Sequence, residues 1–267
     1  VLSRITPVLL THDEEANVGR TLAALSWAAR VVVVDSGSTD ATRAIVERHR
    51  NAVFFSRPMG VLADQWTYAL RETGIDTEWV LALDADYVLT PALVEELRCL
   101  APPGPGVDGF RARFRYCVEG RPLRGSLYPP VTVLYRREGA AYEQEGHAQR
   151  VRVAGAVRWL EGTILHDDRK PLARFLASQA RYMREEAALV RAQPFGALRW
   201  SGRVRKLRAL APFAVVVQCL LVKGLVLDGR AGLVYTLQRL CAEAILSLYL
   251  LQGDLAGGGG APGGSGA

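Results

Sequence analysis

No Gly-x-Gly-x-x-Gly loop follows the first apolar segment of this 267-residue sequence; Thr11-His12-Asp13-Glu14-Glu15 stands there instead. Dinucleotide folds seat a pyrophosphate on such glycines, so a nicotinamide enzyme is disfavoured. A sugar nucleotidyltransferase wants a similar phosphate loop and is disfavoured too. Cysteine is sparse, at Cys99, Cys117, Cys219 and Cys241, and no Cys-x-x-Cys pair exists to build a zinc ribbon. Cys219 and Cys241 lie in apolar runs and read as core thiols, which fits a reducing compartment. The opening residues 1–6 lack the basic-then-apolar pattern of a secretory signal. Acids are nearly missing from residues 169–208, where only Glu185 and Glu186 oppose a dense series of arginines and lysines. Such a block suits an anionic partner. Nucleic acid would explain it but not the acidic clusters upstream, so no nucleic-acid partner is expected.

What is present argues for a packed enzyme. Hydrophobic residues make up 49% and charged residues 22% of the chain, enough for a sizeable core. Apolar β-branched runs at residues 5–10, 31–34, 52–55 and 79–83 read as strands. Between and after them, helical spacing appears at 16–29, from Ser38 or Thr39 as cap, at 62–71, and from Thr90-Pro91 to 100. Four such βα units predict a largely parallel, doubly wound α/β sheet whose ligands bind beyond the carboxyl ends of the strands. Residues 108–166 hold short strands, among them 109–116 and 131–135, broken by glycine and proline; they read as a mixed-sheet half completing the domain. Residues 170–192 read as a long helix, 207–252 as apolar helices, and 253–267 as a disordered Gly-rich tail.

The polar clusters fall at the predicted strand ends. Asp84-Ala85-Asp86 comes after a buried strand, and two carboxylates spaced by two on an extended segment point the same way. A hard cation relieves their repulsion; Mg or Mn takes one or two carboxylates and completes its shell with water and phosphate. The plain alternative is a pair of solvated turn acids. Asp35, after four valines, can accept hydrogen bonds from a base edge, while Thr39 and Asp40 read as helix caps. Asp64 reads as a first-turn helix acid.

Together, the segments Leu10-Thr11-His12-Asp13-Glu14-Glu15-Ala16-Asn17, Val34-Asp35-Ser36-Gly37-Ser38-Thr39-Asp40 and Leu83-Asp84-Ala85-Asp86 resemble the family 2 glycosyltransferases of the GT-A fold. His12 and Asp13 replace that family's usual Tyr-Asn. The resemblance covers roughly the first 170 residues. It implies a GT-A catalytic domain over 1–170, with a nucleotide-binding half (1–100) and an acceptor half (101–170), then a helical region over 171–252. It further implies that Thr11, Glu14 and Asp35 contact the nucleotide and that Asp84 and Asp86 serve ribose, metal and diphosphate.

An inverting transferase also needs a carboxylate to take the acceptor proton. Tyr142-Glu143-Gln144-Glu145-Gly146-His147 falls where related members carry an acid just before a His. Glu145 is the expected catalytic base, with Glu143 or plain loop carboxylates as the alternatives, and His147 contacts phosphate, orients the base or is structural. His166 ends an apolar run beside Asp167-Asp168-Arg169-Lys170. By resemblance it is a further metal ligand, with a structural histidine as the alternative; Arg169 and Lys170 are expected on the diphosphate oxygens and Asp167 and Asp168 as caps of the following helix.

Residues 209–222 are uncharged but shorter than the roughly twenty residues a span needs. Asp228, Arg230, Arg239 and Glu243 interrupt the apolar stretch beyond Lys223. These helices are therefore expected to lie in the membrane interface or, alternatively, to form an ordinary helical subdomain. The segment at 223–232 also resembles one in lipopolysaccharide-core glycosyltransferases of the same family. The expectation is a transferase moving a sugar from a nucleotide-sugar, uridine diphosphate-linked, to a hydroxyl of an envelope glycan or lipid-linked acceptor. It would work in the cytoplasm, peripheral to the inner face of the cytoplasmic membrane. A non-catalytic sugar-nucleotide-binding or scaffold protein of the same fold is the rival.

Overall fold

The computed structural model describes residues 2–100, 104, 106–145, 148–198 and 200–258. The chain divides into two compact units, Val1–Lys170 and Pro171–Ala267.

The first unit begins as strand–helix alternation: β1 (Ile5–Thr11), α1 (Val18–Ala24), β2 (Val31–Asp35), α2 (Thr42–Val46), β3 (Ala52–Ser56), α3 (Leu62–Glu72), β4 (Trp79–Asp84). β5 (Tyr87–Leu89) and α4 (Pro91–Cys99) come next, then β6 (Val107–Val118), β7 (Arg121–Pro122), β8 (Val131–Arg136), β9 (Ala141–Glu145), β10 (Ala148–Arg152) and β11 (Ala156–His166). The main sheet runs β3-β2-β1-β4-β8-β6-β11-β5, with β7 paired to β6. β3, β2, β1 and β4 are parallel; β8 is antiparallel to β4 and β6. The sheet is therefore mixed, parallel over β3, β2, β1 and β4 and antiparallel at β8.

Strand alternation sends neighbouring side chains to opposite faces. Leu9, Val31, Val33, Leu81 and Leu83 join the core under α1 and α4. Val8, Val32, Val34, Val80 and Ala82 join a second core with Trp66, Ala69 and Leu70 of α3. Both faces are therefore apolar, which is why the four valines of β2 read as an unbroken run.

Local differences from the sequence reading have local causes. α1 is shorter than residues 16–29, because Leu25 breaks into a turn whose N–H bonds to the Leu22 carbonyl. Ser38 and Thr39 do not cap α2. Ser38 accepts from the Asp13 N–H, Thr39 donates to Asp13, and Asp40 instead accepts from Thr42 N at 2.9 Å. In β11 the register against β6 breaks between Trp159 and Thr163. The Glu96 carboxylate of α4 accepts from the N–H groups of Glu161 (2.9 Å) and Gly162 (2.7 Å) at that bulge.

The second unit is helical: α5 (Leu172–Ala192), α6 (Trp200–Lys206), α7 (Ala211–Val217) and α8 (Gly229–Gly258). α8 continues past Gly253, where the composition suggests a disordered tail; residues 259–267 lie outside those described. Met183, Ala187 and Val190 of α5 pack on Ala242, Leu246 and Leu250 of α8. Arg205 joins Glu186 and Glu243 in an ion triad. α7 passes through a wide π turn (Gln218–Val222) to Gly224, in the left-handed region at φ 68°. Among the described residues, one segment, Leu225–Gly253, is long and apolar enough to cross a membrane by length and composition, and a third of that window is buried.

Candidate active site

The parallel strands end together, and their last residues bring the first cluster into register. Thr11 pairs with Asp35 across β1 and β2, and Leu10 pairs with Asp84 across β1 and β4. Thr11 donates its hydroxyl to Asp35 Oδ1 at 2.8 Å. The buried Asp35 also accepts from Ser38 Oγ on Oδ1 and from the N–H groups of Gly37 (3.0 Å) and Ser38 (2.8 Å) on Oδ2. A carboxylate offers about four acceptor positions, so Asp35 holds its own loop in shape before it meets any ligand.

Asp84 and Asp86 flank the chain reversal between β4 and β5. Tyr87 hydrogen-bonds Asp84, and Tyr128 hydrogen-bonds the Tyr87 hydroxyl. Burial and the neighbouring Asp86 charge push Asp84 up to about 6. His166 pairs with Tyr87 at the end of β11, which sets its Nε2 3.0 Å from Asp86 Oδ2. Burial works against the Asp86 charge, but the attraction of His166 prevails and Asp86 titrates below its ordinary range. For His166, burial disfavours the imidazolium, and Asp86, with Asp84 and Asp168 behind it, outweighs that and raises its pKa. Its Nδ1 is buried with no hydrogen-bond partner among the described residues.

Glu14 forms the third acidic wall. Lys170 and Asn17 hydrogen-bond its two oxygens. Burial, reinforced by the Asp86 charge and opposed by Lys170, pushes Glu14 up to about 7. Asn17 ties this loop to the end of β11, donating to Asp168 Oδ1 at 2.8 Å and accepting from Arg169 N at 2.9 Å. Arg20 donates to Asn17 Oδ1 and to the Asp167 carbonyl. The β1 and β11 motifs are thus one hydrogen-bonded body.

Several roles expected from the sequence change once the contacts are known. Asp167 and Asp168 do not cap α5, whose cap position is Pro171. Asp167 is buried and takes the Gly120 N–H and the Arg169 guanidinium; Asp168 takes Lys170 N. Arg169 and Lys170 therefore spend their charges on Asp167 and Glu14. Asp64 lies in the first turn of α3, and Glu143 pairs with Arg152 on the surface. Glu145 ends β9, opposite Ala148, but its side chain, Gly146 and His147 lie outside the described residues. The β9–β10 hairpin is fixed from behind: Tyr142 stacks on Trp66 at 5.3 Å and its hydroxyl meets that of Tyr135 at 2.7 Å.

The sequence reading missed Asn17, Arg20 and an aromatic cage. Tyr87, Tyr116 and Tyr128 surround His166 at 5.2, 4.7 and 4.5 Å, and Phe114 packs against Tyr87 and Tyr128. These side chains come from four distant stretches of sequence, and only the alternation of β6 could have suggested that Phe114 and Tyr116 share a face.

No three His, Cys, Asp or Glu side chains among the described residues close around a single point. Asp84 is held by Tyr87 and Asp86 by His166. The donor set nonetheless suits a hard divalent cation: two crowded carboxylates, one raised by the other's charge. The 3.0 Å between His166 Nε2 and Asp86 Oδ2 is a hydrogen-bond distance, so a cation held by both would take the place of the shared proton.

Residues 7–138 match the family model described as glycosyl transferase family 2. Over 138 residues the chain is 33% identical to the lipopolysaccharide core biosynthesis glycosyltransferase LpsC of Rhizobium meliloti (strain 1021), covering 50% of this chain and 48% of that protein. The chain spans about half the length of that curated relative. Solved structures similar to it include S. aureus TarS 1-349 in complex with UDP-GlcNAc (TM-score 0.49, 14% identity, 95% of this chain and 92% of that chain). Another is M. tuberculosis glucosyl-3-phosphoglycerate synthase in complex with phosphoglyceric acid (TM-score 0.47, 19% identity, 70% and 78% of the two chains).

Proposed function

We propose, from the premise that this chain belongs to glycosyl transferase family 2 through residues 7–138, that it is a metal-dependent, inverting glycosyltransferase. Its donor is a uridine diphosphate-linked sugar, and its acceptor a hydroxyl of an envelope glycan or a lipid-linked saccharide. The observation carrying this reading is the convergence of Asp35, Asp84, Asp86 and Glu14 at one edge of the parallel strands, with His166 in contact with Asp86. The relative in lipopolysaccharide core biosynthesis supports the envelope acceptor.

Each residue has a task. Asp35 accepts the imide N–H of the base, exchanging a hydroxyl donor, Thr11 or Ser38, to do so. Asp84 would reach the ribose, and Asp86 and His166, with Asp84 turned toward them, would hold Mg or Mn. A bound cation there supplies positive charge to the departing diphosphate. Lys170, near enough to Asp84 and Asp86 to act on both, would bind its oxygens by loosening its hold on Glu14, and Arg169 would join it by turning away from Asp167 and Gly120. Glu145 takes the proton from the acceptor hydroxyl. That oxygen bonds the anomeric carbon from one side while the carbon–phosphate oxygen bond breaks on the other, its electron pair leaving with the diphosphate. The Trp66–Tyr142 stack supports the hairpin that carries Glu145.

The second unit supports a place on the membrane surface. Leu210, Phe213, Val217 and Leu221 form one exposed stripe, continued by Val222, Val226 and Leu227 around the turn, while Ala211, Val215, Cys219 and Leu225 face inward. An amphipathic element of this kind lies in the headgroup region. We assign it the cytoplasmic face, where lipid-linked acceptors meet nucleotide-sugars.

The test is a thermal-shift screen of nucleotide-sugars with and without Mn, followed by measurement of released nucleoside diphosphate. A uridine diphosphate sugar should stabilise the protein in a Mn-dependent way, and Asp86→Ala should abolish turnover. Binding without turnover under every acceptor condition, or full turnover by Asp86→Ala, would sink the reading.

A further inference from the structure

The two faces of β6 differ sharply. Phe110, Ala112, Phe114 and Tyr116 turn to the core and the aromatic cage. Arg111, Arg113 and Arg115 alternate with them and are all exposed. Same-face residues on a strand repeat about every 6.7 Å, so three guanidinium groups stand in a row. On the adjoining strand β11, Trp159 is the partner of Arg111 and is 46% exposed. Its ring lies under both arginines, with Arg111 Cζ at 5.5 Å and Arg113 Cζ at 4.8 Å from the centroid. Val157, opposite Gly109, extends the same face and is also exposed. Among the described residues no carboxylate pairs with any of the three arginines.

Three like charges in a row repel one another, and Trp159, for all its contacts with two of them, leaves nearly half of its surface in water. Both are used by a surface that carries phosphate and accepts apolar groups: arginine forks match phosphate oxygens, and tryptophan favours the membrane–water interface. The face is a sheet surface rather than a groove, so it fits a flat partner better than a nucleic-acid strand. We propose that the Arg111–Arg113–Arg115 ladder with Trp159 and Val157 is a docking face for an anionic phospholipid bilayer. It belongs to the first unit and is independent of the apolar stripe on the second, which needs no lipid charge. It also lies on the opposite side of β6 from Tyr116 and His166, so it is separate from the proposed chemistry.

The test is co-sedimentation of the full chain with phosphatidylcholine vesicles and with vesicles containing phosphatidylglycerol, using the parent and R111Q/R113Q/R115Q. A basic residue near an anionic surface contributes about 1 kcal/mol, so the triple variant should lose roughly a hundredfold in partitioning onto the anionic vesicles. Partitioning onto phosphatidylcholine and turnover of a soluble donor should be unchanged. W159A tests the apolar part without altering charge and should weaken anionic binding several-fold. Circular dichroism and the unchanged turnover report folding of each variant. Equal anionic binding by parent and triple variant overturns the proposal. So does an equal loss on both vesicle types, or loss of RNA binding by the triple variant with vesicle binding intact.

Discussion

His166 Nε2 and Asp86 Oδ2 stand 3.0 Å apart, although a long stretch of the first unit's sequence separates the two residues. The meeting is set by β5 and β11: His166 pairs with Tyr87, and Asp167 N donates to the Asp86 carbonyl at 3.0 Å. If His166 helps hold a cation with Asp86, directly or by orienting it, His166→Asn should raise the Mn concentration for half-maximal activity about 10–100-fold. Saturating metal should recover much of the rate. A variant with the parent's Mn dependence would remove His166 from the metal role.

Asp35 binds its own loop with both oxygens, so its replacement has two consequences. Asp35→Ala leaves the N–H groups of Gly37 and Ser38 and the Thr11 hydroxyl without their acceptor. An orphaned buried polar group costs about 1–3 kcal/mol, so the melting temperature should fall by several degrees. If Asp35 meets the nucleotide base, the KM for the donor should rise more than kcat falls, because such a contact acts on binding. Loss of stability with an unchanged KM would mark Asp35 as structural only.

Glu14 gives a pH signature with a definite sign. Its folded carboxyl is pushed up to about 7 from an ordinary 4.5, by burial first. Between those values the folded state holds a proton that the unfolded state has released. Stability therefore falls as pH rises from about 4.5 to about 7, then levels off from this group. Asp84, raised from 3.8 to about 6, acts in the same direction. The Lys170 pKa is raised as well, despite its burial, by Glu14; its contribution is full at these pH values and is lost only on the alkaline side. Urea unfolding from about pH 5 to about pH 8 should show this decline, and Glu14→Gln should make it shallower, leaving the part below about pH 6 that Asp84 contributes. An identical slope in the variant would contradict the raised carboxyl.

The fold is more legible in the sequence than the site. The four-valine and Trp79-to-Leu83 runs mark strands buried on both faces, because both faces are apolar. Asp35, Asp84 and Asp86 stand out in the sequence because strand ends of a parallel sheet place polar residues in a predictable row. Asn17, Arg20, Tyr87 and Tyr128 are not, because their positions depend on which strand neighbours which. Nothing local says that β11 returns to pair with β5. The helix-cap roles expected of Asp167 and Asp168 fail for the same reason: their partners, Gly120 and Asn17, are distant in sequence.

Gly162 shows how tightly that return is built. A Cβ there would meet Leu93 Cα at 2.7 Å and Leu93 Cβ at 2.8 Å, so α4 and β11 touch through backbone. Gly162→Ala must part the two elements and pull Glu96 from the bulge it satisfies. The expected loss is on the order of 2 kcal/mol, read by chemical denaturation. Gly104, where an added Cβ meets nothing within 4 Å, is the control: Gly104→Ala should change stability by less than about 0.5 kcal/mol. Equal effects at both positions would mean that the α4–β11 contact is looser than described.

The apolar stripe of the second unit offers the last prediction. Phe213 is 72% and Leu221 70% exposed, and both lie on the side of α7 and its π turn away from Val215 and Cys219. Burying each such side chain is worth about 1.5–3 kcal/mol. If the stripe sits in a bilayer, Phe213→Ser with Leu221→Ser should lower partitioning onto phosphatidylcholine vesicles at least roughly a hundredfold and raise solubility in detergent-free buffer. The packing core of Met183, Ala187 and Leu246 is untouched, so helicity by circular dichroism should hold. Arg205 provides the contrast, because Glu243→Ala breaks its ion triad and should destabilise the helical unit while leaving the exposed stripe intact. Lipid binding that survives the double serine variant, with the fold preserved, would mean that these side chains are covered by something other than a membrane.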